Sequence, residues 1–321
     1  MRMAMIMCGV FLAATVTGTH AADSYPVKPV RIIVPFPSGA GPDVVSRTIS
    51  QKLTERWGQQ IVVDNRPGAG GNIGVELAAK AAPDGYTLIL MSNHFTINPS
   101  LFRKVPYDPL RDFAPVTMAA FTPNILVAHP SLPVKSVKDL VRLAKTRPGQ
   151  LNVSSGGNGS VGHLAVEMFK TAAGVDMVHV PYKGPVAAVT ALISGEASLG
   201  FLIVAAALPH VKANKLHALA VTGKARSPAA PELPTVAEAG VPGYEIVAWQ
   251  GVFAPAGTPP EIISKLSADI IAVLGMNEIR QALSRQGLET IGGPAAELGA
   301  YIKEDLVKWA RVVKQANVHI D

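Results

Sequence analysis

The run Gly157-Asn158-Gly159-Ser160-Val161-Gly162 is where residue types and spacing come nearest to chemistry. It satisfies G-x-G-x-x-G between a predicted strand and a predicted helix, the arrangement that seats a dinucleotide pyrophosphate. That fingerprint also needs an acid at the end of the following strand to hold the ribose. Asp176 stands at the start of the strand predicted at 177–180, and Val180-Pro181-Tyr182 occupies its end. A dinucleotide-dependent enzyme is therefore the weaker reading. The same residues nearly form a nucleophile elbow around Ser160. However, Asn158 replaces the first glycine, and His163 follows after only three residues, whereas the triad histidine of that fold lies far downstream. Ser160 reads better as a helix N-cap whose hydroxyl is free for a ligand or for the backbone at 161–163. His163 then reads as a polar residue of the first turn.

The remaining chemistry-bearing residues are scattered. Beyond the first 21 residues the other histidines are His94, His129, His179, His210, His217 and His319, and no H-E-x-x-H or similar spacing links them. A metal site has no support. Cys8 is the only cysteine and falls in a segment expected to be removed, which leaves no disulfide, thiolate nucleophile or cysteine-ligated metal. Asp64 and Asp84 sit in predicted turns, where a carboxylate bonds its own backbone. No acid pair shares a helix face, so general acid–base catalysis is unsupported. Lys183, in Tyr182-Lys183-Gly184, reads equally as an anion partner or as a solvated surface lysine. Phe36 and Trp249 could wall a pocket, or could be buried packing.

The elements that must position these residues alternate. Residues 30–34 are apolar and β-branched, which suits a buried strand. Pro35, Pro37, Gly39, Gly41 and Pro42 then break regular structure, and Asp43 opens a helix whose face is Val45, Ile49, Leu53 and Trp57. A glycine-containing loop is thus aimed at a helix N-terminus, where unpaired N–H groups favour an anion. An ordinary strand-to-helix connection reads equally well from that stretch alone. Further strands are expected at 60–63 and 87–91, with a helix from Ile73 between them, and residues 98–116 read as irregular. Strand, helix, strand implies βαβ units and a largely parallel sheet. A second such series begins after a strand at 125–128 and ends at a proline-rich return over 227–243. Residues 246–253 read as a strand crossing back, followed by helices at 260–274, 277–286 and 295 to about 315. The expected organisation is one discontinuous lobe, 22–125 plus 246–321, and a second lobe, 126–245.

Composition narrows the class further. Of 321 residues, 48% are hydrophobic, enough for a large core and against disorder. Arg2, an apolar run at 6–16 and Thr19-His20-Ala21 form an export signal over 1–21, with cleavage expected near Ala21. Its loss leaves 28 basic against 23 acidic residues, or +5, with no basic run of five. That is no nucleic-acid signature, though a mildly positive surface helps attract anions. No later stretch reaches 18 apolar residues free of charge or proline, so the mature chain is not expected to enter a membrane.

Several segments together resemble one known group. They are 34–43 (VPFPSGAGPD), 65–74 (NRPGAGGNIG), 83–87 (PDGYT), Tyr107-Asp108-Pro109 with Asp112-Phe113, 154–164, Tyr182-Lys183-Gly184, 233–240 (LPTVAEAG) and 253–259 (FAPAGTP). The chain resembles the periplasmic solute-binding proteins of tripartite tricarboxylate transporters, often called Bug receptors, over essentially its whole mature length. The resemblance implies a two-lobed periplasmic binding protein fold of type II-like α/β architecture. Each lobe would be a mostly parallel sheet flanked by helices, with two interdomain crossings. It implies a monomer that needs no cofactor, binds a small organic carboxylate and delivers it to two membrane subunits. A sensor handing the same ligand to a signalling system is the alternative. Carried onto this chain, the ligand-binding residues would be Phe36, Ser38, Gly39, Ala40 and Asp43 from one lobe. Ser154, Gly159 and Ser160 would come from the other, with Tyr182 and Lys183 nearby. Many relatives carry Asp where this chain has Ala191 and Leu202. The resulting apolar wall favours an aliphatic or aromatic acid over an amino acid.

Overall fold

The computed structural model describes residues 25–316 and 318. Cys8 and the expected cleavage site at Ala21 lie outside the described residues. The chain opens with β1 (Val30–Val34), α1 (Gly41–Trp57), β2 (Ile61–Asn65), a 3₁₀ turn at Ala69–Gly71, α2 (Asn72–Ala79) and β3 (Thr87–Ser92). It continues through α3 (His94–Leu101), β4 (Phe113–Ala128), α4 (Val137–Thr146), β5 (Asn152–Ser155), α5 (Val161–Ala173) and β6 (Val178–Pro181). Next come α6 (Pro185–Ile193), β7 (Leu199–Ile203), α7 (Val204–Lys212), β8 (His217–Val221) and β9 (Val247–Pro255). The C-terminal part is α8 (Pro260–Leu274), α9 (Asn277–Arg285), β10 (Glu289–Gly293) and α10 (Ala295–Ala316).

Two lobes share β4. β2, β1 and β3 pair in parallel, and β9 then joins β3 and β4 antiparallel, with β10 on the first half of β4. The second half of β4, Asn124 to Ala128, pairs instead with β7 and β8, and β5 joins β7 and β6 in parallel. β4 and β9 are therefore the two strands that pass between the lobes. The register of β4 against β9 shifts between Pro115 and Thr117 and again between Met118 and Ala120. Such irregularities bend a strand and tolerate proline, which is how a 16-residue strand accommodates both Pro115 and Pro123.

Each lobe is packed as its periodicity requires. Val45, Ile49 and Leu53 of α1 are fully buried against β1, β3 and the apolar face of α8. In the second lobe Leu164, Ala165 and Phe169 of α5 pack with Leu140 of α4 and Val153 of β5. α10 serves both lobes: Leu298 and Ile302 lie in a first-lobe core, while Trp309, Val312 and Val313 lie in the core with α4 and α5.

Four elements depart from the sequence expectation, the first being β4, which starts at Phe113 inside the stretch read as irregular and far ahead of the strand expected at 125–128. α3 occupies residues read as the start of an irregular stretch, and it contains Pro99. Proline cannot donate to the carbonyl four residues back, but the Tyr107 hydroxyl donates to that Phe95 carbonyl at 3.4 Å. α7 and β10 were not expected at all, because Pro209 interrupts the one and Gly292-Gly293 dilute the other. No helix among the described residues is long and apolar enough to cross a membrane.

Candidate functional site

Strands β1, β3, β5 and β7 all end toward the gap between the lobes, and each is followed there by a helix N-terminus. Crevices at the carboxyl ends of such strands are where α/β sheets bind ligands. A cavity of about 380 Å³ fills this gap. Its walls come from both lobes, Phe36, Ala40 and His94 facing Ser160, Gly162 and Leu202, and the crossing strands contribute Thr122, Asn124 and Gln250. Among the described residues, no Asp, Glu, Lys or Arg lines it. Apart from Ser92, Asn93, Thr122, Asn124, Ser160, Gln250, Gln286 and the His94 imidazole, its lining side chains are apolar or absent. The lobes also touch beside it: the Ser227 hydroxyl donates to Glu289 at 2.7 Å, and a Cβ on Gly287 would meet that of Ala205 at 2.3 Å.

The first-lobe turn is held by a carboxylate. Asp43 is 2% exposed and accepts from the Gly39 N–H (2.8 Å), the Ser38 hydroxyl (3.2 Å), Arg47 Nε (3.0 Å) and Asn65 Nδ2 (2.8 Å). Burial works to raise its pKa, but the bonds from Arg47, Gly39 and Asn65 outweigh it and hold the carboxyl below its ordinary range. Gly39 sits at φ +85°, where a side chain would strain the backbone. α1 has no side-chain cap, Pro42 has no N–H, and the Ala40 N–H is bonded to Pro37. The Gly41 and Asp43 N–H groups are left without an intrahelical partner. Asp43 and Arg47 neutralise one another, so the helix end keeps its positive potential.

The second-lobe turn is held by imidazoles. The Ser160 hydroxyl accepts from the His163 N–H at 3.2 Å and caps α5. The Gly159 N–H donates to His163 Nδ1 at 3.1 Å. His163 stacks on His179 with ring centroids 3.8 Å apart, and His179 Nε2 lies 2.5 Å from the Ser155 hydroxyl. Burial, then the neighbouring Lys170, pushes His163 down to about 4, and burial with His163 and Lys170 does the same for His179. The N–H groups of Val161 and Gly162 have no partner within the helix, and a Cβ on Gly162 would lie 2.9 Å from the Phe201 carbonyl.

The sequence and fold have counterparts among known proteins. The family model described as "Tripartite tricarboxylate transporter family receptor" matches residues 45–318. The chain belongs to that family. It is 35% identical to protein BugT of Bordetella pertussis over 98% of each chain. The solved structure of R. palustris Rpa4515 with adipate is 39% identical, superposes with a TM-score of 0.79, and covers 92% of this chain and 99% of that one. MatC (Rpa3494) from Rhodopseudomonas palustris with bound malate is 32% identical, with a TM-score of 0.74, covering 90% of this chain and 100% of that one.

Within this receptor of the tricarboxylate family, the predicted ligand residues separate into two groups. Phe36, Gly39, Ala40 and Ser160 line the cavity. Ser38, Asp43, Ser154, Gly159, Tyr182 and Lys183 do not. Ser38 and Asp43 bond each other and shape the loop. The fully buried Ser154 donates to the Leu199 carbonyl at 3.3 Å, inside the sheet. Gly159 spends its N–H on His163. Tyr182 packs against the second-lobe core, and Lys183 is exposed. Trp249 turns away from the cavity and donates to Asp305 at 3.0 Å. Of the two positions where many relatives carry Asp, Leu202 stands on the wall, whereas Ala191 is buried in α6 and does not line the cavity. His94, Asn124 and Gln250 line the cavity as well, beyond the predicted set. The polar loop Ser92-Asn93-His94 at a strand end was the available signal for His94; Asn124 and Gln250 lie inside strands and gave none.

Proposed function

We propose that the chain captures a small organic carboxylate in this cleft, outside the cytoplasm, and delivers it to the membrane subunits of a tripartite tricarboxylate-type transporter. The observation that carries this reading is the pair of helix N-termini that bear Gly41 and Gly162. Both lie on one cavity that holds no charged side chain, so the anion is met by backbone N–H groups and helix dipoles. The adipate and malate in the solved relatives support the ligand class. The apolar stretch from Phe201 to Ile203 favours a ligand with an aliphatic or aromatic body. The protein works as an exported monomer cleaved near Ala21, its lobes 22–125 plus 246–321 and 126–245 closing on the acid without turning it over. The bonding of Ser160 and His163 within their own turn supports that absence of chemistry.

A thermal-shift screen over mono-, di- and tricarboxylates tests the reading. An acid at a hundred times its Kd adds about 2.7 kcal/mol of stability, a rise of several degrees. Aspartate or glutamate binding more tightly than adipate removes the apolar-wall argument. Sustained product formation from any bound acid refutes the receptor role.

A further inference from the structure

Resting on the carboxylate-receptor reading, we propose that His94 is the specificity-determining side chain of the first-lobe wall. It donates a ring N–H to the bound carboxylate, and binding takes up a proton there.

His94 is the first residue of α3 and lines the cavity beside Phe36, the ring centroids 5.3 Å apart. Its Nδ1 lies 3.3 Å from the Ser92 hydroxyl. With that hydroxyl donating, the ring proton resides on Nε2, for which the described residues offer no partner. The adjacent Asn93 is not available to a ligand. Its amide donates to the Val247 carbonyl and accepts from the Trp249 N–H, both at 3.0 Å. Thr122 and Gln250 face one another, Nε2 to Oγ1 at 3.4 Å. Of the lining side chains, only His94 can change its charge near neutral pH.

The surroundings decide what that charge does. The titratable group packed against His94 is Tyr107, whose hydroxyl reaches the His94 carbonyl at 3.5 Å and keeps its proton because it is buried. β3 contributes Ser92, the β1–α1 turn contributes Phe36, and β4 and β9 contribute Thr122, Asn124, Ala248 and Gln250, none of them charged. A helix N-terminus also disfavours a cation. Burial holds the imidazole down at about 4. An acid anion arriving in this uncharged cavity reverses the balance, because an opposite charge a few ångströms away favours the imidazolium. Affinity then rises as pH falls from 7.5 toward 5.5, by at most about tenfold per unit for one proton taken up.

The test is isothermal calorimetry of the purified protein with adipate, malate and benzoate, at pH 7.5, 6.5 and 5.5. Each pH is run in two buffers of different ionisation heat. Expected for the tightest of the three is a gain of about three- to tenfold from pH 7.5 to 5.5, with net proton uptake. His94→Gln keeps a donor and binds within a few-fold at pH 7.5, but without the gain and without the uptake. His94→Phe binds more weakly throughout. In the unaltered protein the His94 ring resonances should titrate at higher pH with ligand than without, a readout independent of any variant. Equal slopes and equal proton uptake in the unaltered protein and His94→Gln overturn the inference and leave the receptor reading standing. So does a ring titration that the ligand leaves in place. Absence of binding by all three acids at every pH overturns both.

Discussion

Two turns face each other across one cavity, and they are stiffened by different chemistry. The turn before α1 is tied by a buried carboxylate, Asp43, that accepts four hydrogen bonds. The turn before α5 is tied by a serine cap and a stacked pair of neutral imidazoles. Each leaves a glycine at the helix start with an unpaired N–H on the cavity wall. Nothing in the ligand chemistry requires the supports to match. What differs is the condition under which each fails, and that gives the means to separate them.

Asp43→Ala should have the largest effect. It strips the Gly39, Arg47 and Asn65 donors of their acceptor, and we expect a loss of about 2–3 kcal/mol in denaturant unfolding. Acid binding should fall more than tenfold by calorimetry. Retained affinity would mean that the first turn keeps its shape without its carboxylate.

Acid should act on the other turn. His163 and His179, with His94, hold their folded-state values at about 4 against about 6.5 in the unfolded chain. Between those values the unfolded chain binds protons that the folded one refuses. Stability therefore falls as pH drops from 6.5 toward 4 and levels off below, by up to about 1.4 kcal/mol per unit for each imidazole. Asp43, with its value lowered, contributes its stability throughout that window and loses it only at lower pH. Hydrogen exchange, corrected for intrinsic rates, should show the Gly159 and Ser160 amides losing protection at pH 5 while those of Gly39, Ala40 and Val44 keep theirs. Equal loss in both turns would erase the distinction.

Gly162→Ala places a methyl 2.9 Å from the Phe201 carbonyl, so α5 must shift away from β7. We expect a several-fold weaker affinity and a melting temperature a few degrees lower. Smallest is Ser160→Ala. Losing the cap costs about 1 kcal/mol, and affinity falls only a few-fold, because the Val161 and Gly162 N–H groups remain. If Ser160→Ala abolishes binding, the hydroxyl itself is the ligand contact.

The legible parts of the molecule were those that depend on local sequence. The apolar spacing of Val45, Ile49 and Leu53 drew α1, and the glycine-serine run before Val161 marked the second turn. That these two turns share a cavity followed only from pairing strands distant in the chain. Residue type does not show which way a group is spent, as Asp43 and Gly159 illustrate. Asp43 turns back on its own loop, and the Gly159 N–H finds an imidazole four residues on. Asn124 and Gln250 were invisible because a strand presents alternate residues to opposite faces. Only the bend of β4 and its pairing with β9 bring those faces to the gap. α3 was hidden by Pro99, whose missing hydrogen bond is made good by a tyrosine eight residues later.

α10 carries a mechanical consequence. Its first turns are fixed among Leu298 and Ile302 in one lobe, and its last among Trp309, Val312 and Val313 in the other. Pivoting about β4 and β9 must therefore slide or flex a third connection, like a stay across a hinge. Removing the final turns of this helix should widen the swing and speed ligand escape without touching any residue of the pocket.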